Sequence, residues 1–349
     1  MLGAQPQTSA VNYDAMIKIE KAETSVDVIC STADEFLQIL SPLGGLFGSG
    51  TPIFRGVSSR DHELLPNAHR KLVTLYCSSF ESCSGPLQTI QEQCAAEFYT
   101  LDKFFSIASR HGVHIPEDSY SLRWRLDQWR TSFDLAHTKP SELADRYWPS
   151  PELYSLIALA QHYGIPTRAL DWTWSAYTAA YFAATPLARC TAPAGLIAVW
   201  CFDDFTRQID QALEPSFDRP LVVFTVSGAD NENLRAQRGL FMIHPQHFNA
   251  AAEAFTPRTY DQLLLNSMPV LKDAARIVRV AVAATEAKRV LALLHHAGVA
   301  RGSLFPGLWG VAREYEEEQM INPGSVVPNT TMVTDLWERI CEFADSCES

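Results

Sequence analysis

The chain has 349 residues, 47% of them hydrophobic, and sets 40 acidic against 28 basic side chains for a formal net charge of −12. That balance excludes the broad basic surface of a general nucleic-acid binder while leaving room for a local basic pocket. No stretch reaches the roughly 18 uninterrupted apolar residues of a membrane span, and Met1–Ala15 has neither a basic nor an apolar leader segment, so a cytoplasmic location is expected.

Residues 1–32 mix polar and small side chains without periodicity and read as a lead-in. Thr32-Ala33-Asp34 opens a short helix with Phe36, Leu37 and Leu40 on one face, ending at Pro42 before a glycine-rich run over 44–50. Pro52 to Val57 reads as a strand. From Leu87 to Arg110, Ile90, Cys94, Phe98, Leu101 and Phe105 recur at helical spacing, and a helical insertion is expected over about 87–150. Within it, Leu122 to Arg130 interleaves arginine with tryptophan, a pattern that suits either helix docking or base stacking; docking is the commoner outcome.

Ser150-Pro151-Glu152 is a helix start, with a capping serine, proline at the first helical position and an acid in the first turn. His162 to Pro166 is the matching stop, a strand follows from Thr167 to Asp171, and small residues mark a helix over 176–184. Beyond Pro193 the pattern turns to strands at 195–202, 221–226, 239–243 and 276–282, whose near-continuous apolarity predicts burial on both faces. A helix over 287–296 and an amphipathic helix through Leu336, Trp337, Ile340 and Phe343 complete the reading. The expected fold class is α+β, a mixed β-sheet core with a helical insertion.

The eight cysteines form no Cys-x-x-Cys pair. His111-x-x-His114 and His244-x-x-His247 lack a third ligand at suitable spacing, so no metal is expected. Glu316-Glu317-Glu318 reads as a solvated helical face. No P-loop, Gly-x-Gly-x-x-Gly fingerprint or Gly-x-Ser-x-Gly elbow is present.

Three blocks resemble the FRG-domain family: Phe54-Arg55-Gly56 with Leu64-Leu65-Pro66; Gln161-His162-Tyr163-Gly164-Ile165-Pro166-Thr167-Arg168 continuing to Leu170-Asp171-Trp172-Thr173; and Tyr181-Phe182-Ala183. Two later segments, Arg235 to Phe241 and Leu304 to Gly310, extend the resemblance over roughly residues 33–313, leaving 314–349 as a helical extension. Arg55, at a strand end, reads as a phosphate or carboxylate binder, or as the partner of Asp171 holding strands in register; Gly56 lets backbone approach closely. His162 and Tyr163 close a helix where its dipole favours a cation. Arg168 and Asp171 lie three apart on a strand, hence on opposite faces, so one is expected to line a pocket with Arg55 and the other to form a structural ion pair. Thr173 and Ser175 precede a helix, whose start they could cap or use to bind a ligand.

The order of parts is also similar to ADP-ribosyltransferases, in which a first-strand arginine holds the NAD phosphates, a hydroxyl-bearing strand end supports the nicotinamide pocket and a glutamate stabilises the ribosyl cation. That resemblance implies an ADP-ribosyltransferase-like sheet with NAD as substrate, bound by Arg55, Gly56, Tyr163, Arg168, Trp172, Thr173 and Ser175. It makes Asp171, His162 and Gln237 the catalytic candidates. The hydroxyl strand reads Thr173-Trp174-Ser175, and Gln237 stands where the glutamate is expected. The implied function is an ADP-ribosyltransferase-like enzyme or NAD glycohydrolase, a toxin or defence effector modifying a protein target. The alternatives are a non-catalytic module that binds an anionic nucleotide or a protein, and a protein acting on nucleic acid.

Overall fold

The computed structural model describes residues 17–22, 24–42, 52–78, 81–136, 143, 146–202, 221–228, 231–247, 254–267 and 277–326. The glycine-rich run over 44–50 and the segment through Leu336 and Phe343 lie outside the described residues.

Among the described residues twelve strands follow one another: β1 (Lys18–Lys21), β2 (Val26–Cys30), β3 (Ile53–Val57), β4 (Thr74–Tyr76), β5 (Ser82–Ser84), β6 (Tyr147–Trp148), β7 (Leu170–Thr173), β8 (Leu196–Phe202), β9 (Val222–Phe224), β10 (Gly239–Ile243), β11 (Gln246–His247) and β12 (Ile277–Ala283). Eight of them pair in the order β1-β2-β12-β8-β3-β7-β10-β9. The β2–β12 ladder is parallel and the other ladders of this sheet are antiparallel, so the sheet is mixed and the class is α+β.

The period-two alternation of a strand divides the core. On β8, Ile197, Val199 and Cys201 face one layer while Ala198, Trp200 and Phe202 face the other. The first layer holds α1 (Ala33–Leu40), α5 (Ala176–Ala184) and the Ala287–His296 helix. The second holds Leu64 and, from the Tyr260–Ser267 helix, Tyr260, Leu263 and Leu264. Both faces of β8 and β10 are buried, which explains their unbroken apolar runs.

Local chemistry sets the helix ends. Thr32 Oγ1 accepts from Glu35 N–H at the start of α1, and Thr89 and Glu92 close a reciprocal capping box at α2 (Ile90–Arg110). The helix start at Ser150 differs from expectation. Pro151–Leu153 is a 3-10 turn without a serine cap, and α4 begins only at Tyr154–His162. Ser150 Oγ instead accepts from Trp129 Nε1 at 3.1 Å. That bond docks α3 (Tyr120–Ala136), the helix carrying the Arg/Trp stretch. Trp129 is buried, Arg125 reaches Glu152, and Arg130 reaches Asp102, so this stretch is largely committed to packing. The strand expected over 167–171 is displaced to 170–173, because Thr167 and Arg168 are used in side-chain networks ahead of it.

α2, α3 and α4 share a core with Phe241 and Ile243 of β10. Buried within it is a charged network that an apolar stripe does not reveal. Arg168 Nε donates to Glu97 Oε2 at 2.5 Å, and Trp148 Nε1, Gln93 Nε2 and His69 Nε2 bring further contacts to the same carboxylate. Glu97 is thereby held well below the usual carboxylate range despite its burial, chiefly by Arg168. The run Glu316-Glu317-Glu318 lies on the Leu308–Ile321 helix, but the expectation of a wholly solvated face fails at Glu317. That side chain is buried, with Tyr181 Oη 2.7 Å from both carboxylate oxygens.

Candidate functional site

β3 registers with β8 over five residue pairs but with β7 only at Phe54–Thr173. The sheet is thus open between β3 and β7, and Arg55 spans the opening. Its Nη1 donates to the Asp171 carbonyl at 2.6 Å and lies 3.8 Å from Asp171 Oδ2. A cavity of about 360 Å³ sits at this split, bordered on its polar side by Arg55, Gln161, His162, Asp171, Thr173 and Gln237. Phe54, Phe182, Phe241 and Phe305 supply aromatic walls.

Each polar group is positioned by a neighbour. Thr167 Oγ1 donates to Gln161 Oε1, which turns the Gln161 amide so that Nε2 donates to Asp171 Oδ2 at 3.1 Å. The Asp171 carboxylate is 55% exposed against 19% for the Arg55 side chain, so the acid rather than the guanidinium meets solvent. His162 closes α4 at the rim, with Nε2 3.1 Å from Asn233 Nδ2. Gln237 Nε2 donates to the Leu304 carbonyl, while the Gln237 carbonyl accepts from Thr173 Oγ1.

Electrostatically the cleft pairs one guanidinium with one carboxylate. Desolvation lowers the Arg55 pKa, with Asp171 opposing and Arg70 adding to the effect, yet a guanidinium stays charged at neutral pH. Desolvation likewise holds His162 below the ordinary imidazole range, against the pull of Asp171. The Asn233 amide nitrogen can only donate, so His162 Nε2 accepts from it. No cysteine lines the cavity, and burial pushes the Cys30 and Cys94 thiols up to about 12.

Of the ten residues singled out from the sequence, Arg55, Gly56, His162, Asp171, Trp172, Thr173 and Gln237 border this one cavity. Arg168, Tyr163 and Ser175 do not line it. Arg168 precedes β7 rather than lying on it, so the expected strand alternation does not apply, and its side chain is buried against Glu97. Tyr163 caps α4 and is 68% exposed, and Ser175 caps α5 by accepting from Thr178 N–H. Trp172 turns its indole edge-on to Phe202, 4.8 Å between centroids, within the second core layer. The close approach allowed by Gly56 is that of α5: a Cβ there would lie 1.8 Å from the Ala179 carbonyl oxygen.

The sequence reading missed Gln161, Asn231, Asn233 and the four phenylalanines. Gln161 and all four phenylalanines fall inside resemblance blocks, which is the signal the sequence offers for them. Of the two His-x-x-His pairs, His111 caps α2 and His247 lies tilted against Tyr147, 4.3 Å between ring centroids. Among the described residues, His295, Glu314 and Glu318 bring ligand atoms within 4.8 Å of one another, away from the cleft, where they form an ion-pair cluster.

Residues 51–189 match the family model of the FRG domain, and this part of the chain is similar to that family. The match takes in Arg55, Gln161, His162, Asp171 and Thr173, whereas Gln237 and Phe305 come from later in the chain. No curated protein and no solved structure matches the chain. No helix among the described residues is long and apolar enough to cross a membrane.

Proposed function

We propose that the FRG-like region, completed by Gln237 and Phe305, binds an anionic nucleotide in the β3–β7 cleft, with NAD as the ligand that best fits the set of side chains. The observation that carries this reading is the convergence of Arg55, His162 and Asp171 on one cavity from chain segments far apart in sequence. A dinucleotide needs a cation for its phosphates, a flat apolar wall for its ring and directional donors for the carboxamide. Arg55, the phenylalanines, and the amides of Gln161 and Asn231 match those needs.

Cleavage of the N-glycosidic bond develops positive charge at the ribosyl carbon, which a fixed carboxylate stabilises. Asp171 is the acid at the cleft, oriented by Gln161 and exposed toward the space a ligand would fill. His162, at the rim, is held by Asn233 and is suited to positioning a ligand group there.

A second reading, binding without cleavage, is favoured by one observation. Gln237 stands where a glutamate is expected, and its amide is spent on the Leu304 carbonyl. Asp171 would have to carry the charge stabilisation alone. Incubation with NAD, following free nicotinamide, separates the two. Turnover abolished by Asp171→Asn and by Arg55→Ala is expected of the enzyme. NAD binding with no nicotinamide released leaves the binding module, and the absence of both removes the nucleotide reading.

A further inference from the structure

A second cavity, of about 300 Å³, lies where the Leu308–Ile321 helix packs near the end of α5, and its lining includes Arg189, Arg301, Arg313, Trp309 and Glu317. Three guanidinium groups around one cavity stand out in a chain of net charge −12. The available negative charge does not balance them. Arg189 and Arg313 share a single exposed carboxylate, Glu316. Glu317 is engaged by Tyr181 through both oxygens, and desolvation raises its pKa, weakening it as a counter-charge.

Arg301 contacts Tyr181 and its charge acts on the neighbouring Glu317, but its Nε is buried without a hydrogen bond. Its guanidinium lies 4.0 Å from the Phe305 ring centroid and 5.0 Å from that of Trp309. Trp309 is 56% exposed, and Arg313 approaches the same ring at 5.7 Å. An exposed indole flanked by guanidinium groups offers a stacking surface beside a cluster of phosphate donors.

We propose that this cavity is a second ligand site that takes the phosphate groups of a nucleoside phosphate on Arg189, Arg301 and Arg313 and stacks its base on Trp309. The phosphates displace Glu316 from Arg189 and Arg313, exchanging one shared carboxylate for bidentate contacts. The site is distinct from the β3–β7 cleft, although Phe305 borders that cleft and lies against Arg301.

Isothermal titration of the full chain with ADP and with inorganic pyrophosphate tests it, using an Arg55→Ala background so that the cleft does not contribute. Both probes are expected to bind. The exposed pair Arg189→Glu and Arg313→Glu should weaken both by about tenfold or more. Trp309→Ala should weaken ADP by about tenfold and leave pyrophosphate nearly unchanged. Absence of heat with either probe, or affinities unaltered by the charge reversals, overturns the proposal. Loss of NAD binding through Arg55→Ala in the otherwise native chain bears on the cleft alone, so the two readings fail separately.

Discussion

Arg55 and Arg168 look alike in sequence and do opposite work. Each could hold an anion, but Arg168 is sealed against Glu97, whereas Arg55 borders a cavity and touches a carboxylate that faces solvent. Glu97 accepts from four surrounding side chains, so its removal strands a buried guanidinium. Glu97→Ala should cost about 3–5 kcal/mol of unfolding free energy, measured by urea denaturation; a loss below 1 kcal/mol would contradict the network. His69 belongs to the same network, 95% buried by its 5% exposure, and desolvation lowers its pKa. The ionised Glu97 accepts from its Nε2, which fixes that nitrogen as N–H.

A depressed imidazole pKa means that the unfolded chain takes up a proton on acidification before the folded chain does. Stability is therefore retained above the ordinary value of about 6.5 and lost as pH falls below it toward the depressed folded value. Unfolding free energies at pH 7 and pH 5 should differ more for the native chain than for His69→Gln. Equal differences would show that His69 does not titrate as described. None of this was visible in the residue order, because Glu97 lies on a helix whose spacing advertises only its apolar face, and its partners are up to 71 positions away. Arg168 and Asp171 do part as expected, but not through strand spacing, because Arg168 lies ahead of β7.

At the scale of elements, the position of the cleft depends on how closely α5 lies on β3. Gly56 makes that possible, since any Cβ would collide with the Ala179 carbonyl. Gly56→Ala should destabilise by about 1–3 kcal/mol or more in thermal unfolding, whereas Gly324→Ala, with nothing within 4 Å, should be close to neutral. Equal melting temperatures for the two variants would refute the packing argument. The unbroken apolar runs of the later strands, the opening of α1 at Thr32 and the small residues of α5 were readable, because each is set by neighbours in sequence. The 3-10 start of α4 was not readable, since a distant indole, Trp129, takes the hydroxyl that a local rule assigns to capping.

For the molecule as a whole, the governing feature is the short β3–β7 ladder in the middle of an otherwise continuous sheet. The later strands and the mixed class follow from pattern, but β1 and β2, which lie in the stretch read as a lead-in, do not, and neither do strand order and the single registered pair that opens the sheet. The aromatic walls join from four separate elements, so no motif contains them. In the proposed function this opening receives an anionic nucleotide on Arg55. Isothermal titration of NAD into the native chain and into Arg55→Ala tests it most directly. A saturable NAD site that weakens by tenfold or more in a variant with unchanged melting temperature is the predicted result. Equal affinity in the two proteins, or no NAD binding by either, would contradict it.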